Sequence, residues 1–182
     1  MGLSKWLLHI AGWKVEYTVP DYPKCIICVA PHTSNWDFIL GELTIRSVGR
    51  KAGFLMKESW FRWPLGAIFR AIGGIPVPRK NKKQSLTEVI VKKFNETDRL
   101  VLAITPEGTR KANAKWHTGF LYIAQEAHVP LVLGAIDYKD KRIVVDRCYK
   151  PTGDIDRDMR AIKKYYSRFH GRYPDKFIID QP

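Results

Sequence analysis

The chain has 182 residues, of which 45% are hydrophobic and 12% aromatic, which predicts one globular domain and excludes an intrinsically disordered protein. Its longest apolar runs fall well short of the roughly 18 residues that a membrane-spanning helix needs, so an integral membrane protein is not expected. With 31 Lys and Arg residues against 18 Asp and Glu residues, the formal net charge is +13, which favours anionic partners such as nucleic acid, phosphorylated ligands or an acidic lipid surface.

The first 23 residues are predicted to form a separate N-terminal segment, either amphipathic or membrane-facing, followed by one domain over 24–182. The opening sequence, MGLSKWLLHIAGW, lacks the long apolar region of a signal peptide and predicts a short amphipathic helix. The apolar stripe of this helix consists of Leu3, Trp6, Leu7 and Ile10. Such a stripe either lies on a membrane or covers the core, and the pattern favours neither.

From residue 24 onward, strand-like and helix-like stretches alternate. Strands are predicted at 24–30, 52–57, 75–77, 99–105, 129–136 and 142–146. Helices are predicted at 34–47, 84–96, 117–127 and 155–169, with another between Pro64 and Gly73. Because this alternation requires crossover connections, the predicted fold class is α/β, with a mostly parallel sheet flanked by helices and made mixed by a hairpin over 129–146.

Cys25 and Cys28 form a C-x-x-C pair within the first of these strands. Residues three apart on a strand point to opposite faces, and no second C-x-x-C pair is present to complete a zinc site. The pattern therefore favours buried packing over redox or metal chemistry.

The stretch PHTSNWD, at 31–37, follows the buried strand at 24–30. His32 is expected at the carboxyl end of that strand, where ligands of such sheets bind, and Asp37 in the first turn of the next helix. A carboxylate beside an imidazole fixes its tautomer and leaves the other ring nitrogen free as a general base. Ser34 and Asp37 also fit a capping box, which offers a purely structural interpretation.

Two further polar stretches follow predicted strands. GGIPVPR, at 73–79, ends in Arg79, whose planar guanidinium suits a phosphate. TPEGTRK, at 105–111, supplies Arg110 as a second cation and Gly108 for close approach of the backbone to a ligand. Glu107 is expected to be a buried partner that orients an arginine or a substrate hydroxyl. The alternative at each place is an ordinary exposed residue.

Several familiar motifs are missing from the sequence. It contains no G-x-x-x-x-G-K-[ST], G-x-G-x-x-G or G-x-S-x-G stretch, which argues against a P-loop ATPase, a dinucleotide-binding protein and a serine hydrolase with a conventional triad. If His32 is a base, its nucleophile therefore comes from a substrate.

Together and in this order, the polar stretches resemble the blocks of the lysophosphatidic acid acyltransferase family, the glycerolipid acyltransferases with an H-x-x-x-x-D motif. His32 and Asp37 match the catalytic pair of that motif. GGIPVPR matches the second block, PEGTR at 106–110 the third, and VPLVLGAI at 129–136 the fourth. The resemblance implies a glycerolipid acyltransferase-like fold and transfer of a fatty acyl group from acyl-CoA or acyl carrier protein to a lysophospholipid, above all 1-acylglycerol-3-phosphate.

The resemblance also implies roles for individual residues. His32 would deprotonate the acceptor hydroxyl, and Asp37 would stabilise the imidazolium that forms. The residues implied in substrate binding are Ser34, Arg79, Glu107, Gly108, Thr109 and Arg110. No metal or other cofactor is implied, because the thioester is already activated. A backbone N–H group near 33–35 is the expected oxyanion stabiliser.

An acceptor of this class resides in a membrane, so a peripheral enzyme on the cytoplasmic face of the cell membrane is expected. The segment SWFRWPLGAIFRAIGG, at 59–74, repeats apolar residues at helical spacing beside tryptophans and arginines, which is typical of interfacial helices. A core-facing helix is the alternative. Two other functions stay open: transfer to a different lipid hydroxyl, such as that of a lyso-ornithine lipid, and a non-catalytic basic module. Nucleic acid is not the expected partner, since no aromatic-rich RNA motif is present.

Overall fold

A computed structural model describes residues 2–77 and 85–179, and within these ranges seven strands form one sheet flanked by six α-helices. The strands are β1 Lys14–Tyr17, β2 Lys24–Val29, β3 Gly53–Lys57, β4 Gly74–Val77, β5 Leu100–Ile104, β6 Leu131–Asp137 and β7 Arg142–Tyr149. The helices are α1 Leu3–Ile10, α2 Asn35–Ser47, α3 Leu65–Ala71, α4 Leu86–Asn95, α5 Gly119–Glu126 and α6 Ile155–Tyr166.

The strand order across the sheet is β1-β7-β6-β2-β5-β3-β4. Strands β6, β2, β5, β3 and β4 run parallel to one another, whereas β7 is antiparallel to β6 and carries β1 on its outer edge. This confirms the predicted α/β fold, including the hairpin that makes the sheet mixed. Because β2 lies between β5 and β6, the loops that leave the carboxyl ends of these three strands meet at one edge of the sheet.

The core has one layer of side chains on each face of the sheet. On one face, Cys28 and Leu133 pack with residues of α4, α5 and α6. On the other face, Cys25 and Val132 pack with Ile45 of α2. The two cysteines thus point to opposite faces, and burial raises the pKa of the Cys25 thiol to about 11 and that of Cys28 to about 12. Their predicted role in packing is confirmed.

Strand β1 was not predicted from the sequence. Its four residues alternate between exposed and half-buried, and they pair in parallel with β7, beginning with Lys14 beside Arg142. A stretch this short and this polar has no hydrophobic periodicity to distinguish it from a loop. Its strand conformation depends on the distant β7 edge.

Helix α1 does not cover the core with its predicted apolar stripe. Leu8 is the buried residue of α1 and packs in a cluster with Leu40 of α2, whereas Leu3, Trp6 and Ile10 are exposed. The interpretation of the stripe as core-covering is therefore wrong for these three side chains.

The segment at 59–74 is not one continuous helix. A 3-10 turn covers Glu58–Phe61, and α3 begins only at Leu65. Pro64 lacks a backbone N–H group and clashes with a preceding helical turn, so it separates the two elements. No helix within 2–77 or 85–179 combines the length and apolar character needed to cross a bilayer.

Candidate active site

His32 and Asp37 lie together where the chain passes from β2 into α2. The Nδ1 atom of His32 is 3.4 Å from Oδ2 of Asp37, and their side chains are 19% and 2% exposed, respectively. Nε2 of His32 has no hydrogen-bond partner in the part of the chain that the structure describes, and His32 lines a cleft. The pair therefore has one nitrogen held by a carboxylate and one available to a substrate.

The Asp37 carboxylate accepts hydrogen bonds from several directions. Oδ2 accepts from the backbone N–H groups of Thr33 and Ser34 at 2.7 and 2.8 Å, and Oδ1 accepts from the Tyr138 hydroxyl at 2.6 Å. Burial raises the pKa of Asp37, but hydrogen bonds from His32, Tyr138 and the two backbone groups outweigh it and lower the pKa below its usual value. Asp37 is therefore ionised at neutral pH and oriented toward His32.

Ser34 shows that capping and proximity to the histidine are compatible. Its Oγ accepts a hydrogen bond from the Trp36 N–H at 3.2 Å, and Ser34 and Asp37 complete a capping box at the start of α2. Asp37 thus caps the start of α2 and faces His32 at the same time. The sequence had offered these as alternatives, and the structure contains both.

Glu107 fastens the His32 backbone to the loop after β5. Its buried carboxylate accepts a hydrogen bond from the His32 N–H at 2.6 Å. Burial raises the pKa of Glu107 to about 7; the hydrogen bond from His32 opposes this rise, and the charge of Asp37 adds to it. Glu107 is buried as expected, and among the described residues its side-chain partner is the His32 backbone rather than the predicted Arg110; the other predicted arginine, Arg79, and a substrate hydroxyl stay predictions.

The rest of the PEGTR stretch forms a compact turn beside the cleft. Gly108 has a φ of +65°, and a Cβ atom there would lie 2.4 Å from Cδ2 of His117, so glycine is required. Thr109 Oγ1 accepts a hydrogen bond from the Lys111 N–H at 3.2 Å. The Asn113 side chain closes the loop by donating to the Glu107 carbonyl at 2.9 Å.

Of the two predicted phosphate-binding arginines, the structure places one. The guanidinium of Arg110 is exposed and donates a hydrogen bond to the side-chain carbonyl of Asn35, in the first turn of α2. Arg110 is therefore close to the His32–Asp37 pair. Arg79 lies outside the described residues.

Sequence reasoning missed two residues beside the pair, Tyr138 and Arg172. Tyr138 directly follows β6, so its position at the carboxyl end of a strand next to β2 was a usable signal. The Arg172 side chain extends over the Trp36 ring, with its guanidinium carbon 5.5 Å from the ring centroid. No local pattern marks Arg172, because its neighbours in space come from the other end of the chain.

A cleft of about 1020 Å³ adjoins the pair. Its walls are mainly apolar, with residues from α2, the sheet and α5, among them Phe38, Ile45, Phe54, Ala103 and Phe120. Polar groups are few, and His32 is one of them. A largely apolar cleft with a few convergent polar groups is the usual form of a small-molecule site, and its walls suit an alkyl chain.

The family model described as Acyltransferase matches residues 15–136, two thirds of the chain. This range runs from the second residue of β1 to the last but one of β6, and it includes the His32–Asp37 pair and Glu107. Comparison with curated proteins yields no significant match. On the family model, together with an α/β sheet of the matching kind, the chain belongs to the acyltransferase family.

Proposed function

We propose that the protein transfers a fatty acyl group from a thioester donor, acyl-CoA or acyl carrier protein, to the hydroxyl of a lysophospholipid. The proposed acceptor is 1-acylglycerol-3-phosphate, which yields phosphatidic acid. The observation that carries this proposal is an imidazole held by a buried carboxylate beside an apolar cleft, in a chain of the acyltransferase family.

In the proposed reaction, Nε2 of His32 takes the proton from the acceptor hydroxyl as its oxygen attacks the thioester carbonyl carbon. Asp37, ionised and 3.4 Å from Nδ1, stabilises the imidazolium that forms. The tetrahedral intermediate then collapses, the carbon–sulfur bond breaks, and the imidazolium returns the proton to the departing thiolate. The products are an ester and a free thiol, and no metal or other cofactor enters the reaction.

The backbone suggests one oxyanion donor. Within the expected stretch at 33–35, the N–H groups of Thr33 and Ser34 already donate to Asp37, and the next N–H along the chain, that of Trp36, donates to Ser34. Among the described residues of this loop, the N–H of Asn35 remains without an acceptor. We assign it the stabilisation of the negative oxygen in the intermediate, because a fixed N–H dipole needs no reorganisation during the reaction.

The remaining substrate contacts follow from the chemistry of the walls. The apolar part of the cleft would receive an acyl chain, and Arg110, beside the first turn of α2, would bind the acceptor phosphate. Arg79 would add a second cation on sequence grounds. Ser34, Gly108 and Thr109 would shape the loop around the reacting groups.

We further propose that the enzyme acts peripherally on the anionic, cytoplasmic face of the cell membrane. Support comes from an uncovered apolar area after β3, the Trp60–Ile68 surface, whose exposed fractions are 54%, 92%, 50% and 56% for Trp60, Trp63, Leu65 and Ile68. Arginines 62 and 70 are exposed in the same segment. Tryptophans and arginines beside exposed aliphatic side chains suit the lipid interface.

The test is mass spectrometry of lipids after incubation of the pure protein with oleoyl-CoA and lysophosphatidate. We expect phosphatidic acid and free CoA from the wild type, and a loss of at least about 100-fold for His32→Ala with the fold retained. His9→Ala, an exposed position on α1 outside the lining of the cleft, serves as the control. Normal turnover by His32→Ala would overturn the catalytic assignment, and a product from another acceptor alone would reassign the substrate.

A further inference from the structure

The short segment at 170–173 lies against the catalytic loop. The N–H of Tyr173 donates to Oγ1 of Thr33 at 3.3 Å, and the His170 carbonyl accepts from the Tyr138 N–H at 2.9 Å. A Cβ atom on Gly171 would lie 2.8 Å from Cγ2 of Thr33, so only glycine permits this approach. The segment therefore packs against the loop at 31–37, although it lies beyond the range 15–136 that the family model matches.

Arg172 occupies the centre of this segment and presents an uncompensated charge to the site. Its guanidinium carbon lies 5.5 Å from the Trp36 ring centroid and 5.8 Å from that of Tyr173. It forms no ion pair with a carboxylate within the described ranges. Its charge also acts on the Tyr138 hydroxyl, which donates to Asp37. Arg172 therefore lies beside the first turn of α2, to which Asp37 belongs, and its charge is available to an anion.

Arg168, four residues earlier, shows the contrast. It also packs over aromatic rings, with its guanidinium carbon 4.5 Å from the Tyr165 centroid and 4.7 Å from that of Phe169. However, its guanidinium pairs with Asp146 at 3.3 Å, so its charge is compensated. The two arginines share chemistry, exposure and a stacked arrangement, and they differ in whether an acid neutralises them.

Arg110 and Arg172 contact adjacent residues of α2. Arg110 binds Asn35, and Arg172 lies over Trp36, both in the first turn that Asp37 completes. We propose that Arg172, together with Arg110, binds the phosphate of the lysophospholipid acceptor and so determines the selectivity for phosphorylated acceptors. This inference rests on the proposed function.

The position of Arg172 favours the acceptor over the donor as the source of the phosphate. In 1-acylglycerol-3-phosphate, the reacting hydroxyl and the phosphate are on neighbouring carbons, so a cation close to the base can reach the phosphate. In acyl-CoA, the whole pantetheine arm separates the thioester from the phosphates. A cation beside the catalytic pair is thus matched to the acceptor.

The test compares wild type, Arg172→Ala, Arg172→Lys and the matched control Arg168→Ala. With lysophosphatidate, we expect kcat/KM to fall about 10- to 100-fold for Arg172→Ala, as when one hydrogen bond to a charged group is lost, and less for Arg172→Lys. With neutral monoacylglycerol, kcat/KM and the KM for acyl-CoA stay unchanged. Arg168→Ala resembles wild type with both acceptors.

A binding measurement separates this inference from the proposed function. Isothermal titration with 2-deoxy-lysophosphatidate, which has the phosphate but no acceptor hydroxyl, is expected to give at least about 10-fold weaker binding for Arg172→Ala than for Arg168→Ala. If both variants bind it alike, or if Arg172→Ala changes only the KM for acyl-CoA, the inference is wrong. Arg172-dependent binding by a wild type that transfers no acyl group would retain the phosphate site and overturn the proposed function instead.

Discussion

The loop at 31–37, which holds the proposed catalytic pair, and the Trp60–Ile68 surface differ in how many of their side chains have partners within the protein. In the loop, Asp37 accepts from two backbone N–H groups and a hydroxyl, and the His32 N–H donates to the buried Glu107. On the surface, four large apolar side chains are at least half exposed, and Trp63 is 92% exposed. The fixed geometry of the loop suits proton transfer, which requires fixed distances between atoms. The exposed apolar side chains of the surface are typical of a binding site for a partner.

The two regions also differ in when their favourable interactions form. Hydrogen bonds within the protein already fix the conformation of the loop, so a substrate would meet a preorganised site. The apolar side chains of the surface are in water, and the favourable free energy of burying them is gained only when a partner covers them. Changes in the loop should therefore affect folding and chemistry, and changes on the surface should affect attachment alone.

Removing the carboxylate should break the loop most completely. Asp37→Ala leaves the N–H groups of Thr33 and Ser34 and the Tyr138 hydroxyl without their acceptor. We expect the free energy of unfolding to fall by about 3–5 kcal/mol and acyl transfer by more than about 10³-fold. Urea denaturation and a thioester assay measure these effects, with Asp156→Ala, at an exposed position of α6, as the control. Unchanged stability would show that the network does not hold the loop.

Glu107→Gln should reduce the pH dependence of the free energy of unfolding. The folded-state pKa of Glu107 is about 7, above the ordinary 4.5, so the folded protein retains a proton that the unfolded chain loses. This contribution to stability is full below pH 4.5 and declines as pH rises toward 7, by up to about 3 kcal/mol. Urea denaturation at pH 4.5 and at pH 8 should show that the free energy of unfolding falls less between these two pH values in Glu107→Gln than in wild type. Equal declines would contradict the raised pKa.

Charges on the Trp60–Ile68 surface should abolish attachment without affecting the loop. For Trp60→Glu with Trp63→Glu, we expect binding to vesicles of phosphatidylcholine and phosphatidylglycerol to weaken by about 100-fold, since each tryptophan loses burial of about 1.5–3 kcal/mol. The melting temperature and activity on a water-soluble, short-chain acceptor stay unchanged. Tyr122→Glu, an exposed aromatic on α5, is the matched control. Retained vesicle binding with a loss of self-association would identify a second copy of the chain as the partner.

Tyr138→Phe should produce the smallest effect, because it tests a single hydrogen bond of the loop. The change removes one hydrogen bond to Asp37 and retains the ring, which lies 5.1 Å from that of Trp13. We expect kcat to fall about 10-fold, and the loss to be greatest at low pH, because the Asp37 pKa rises and more of this carboxylate is protonated there. Tyr165→Phe removes an equivalent bond to Asp146 elsewhere and should leave the profile unchanged. An identical profile for both variants would deny Tyr138 a positioning role.

Much of the site was predictable because its signals are local. The turn between His32 and Asp37 spans six residues, and both the capping box and the neighbouring imidazole follow from that spacing. The partner of Glu107 was not predictable, since its hydrogen bond to His32 joins residues 75 positions apart. The same holds for Tyr138 and Tyr173, which reach Asp37 and Thr33 across 101 and 140 positions.

The amino-acid sequence by itself determined the α/β class and the edge of the sheet that carries the site. Continuous apolar runs such as those of β2 and β6 are stable only when buried on both faces, and polar loops must then leave at their ends. Tertiary structure alone decided that 14–17 is a strand and that Arg172 lies over Trp36. Hydrophobic periodicity reports which face of an element is buried, but pairing between distant segments depends on packing that no local pattern contains.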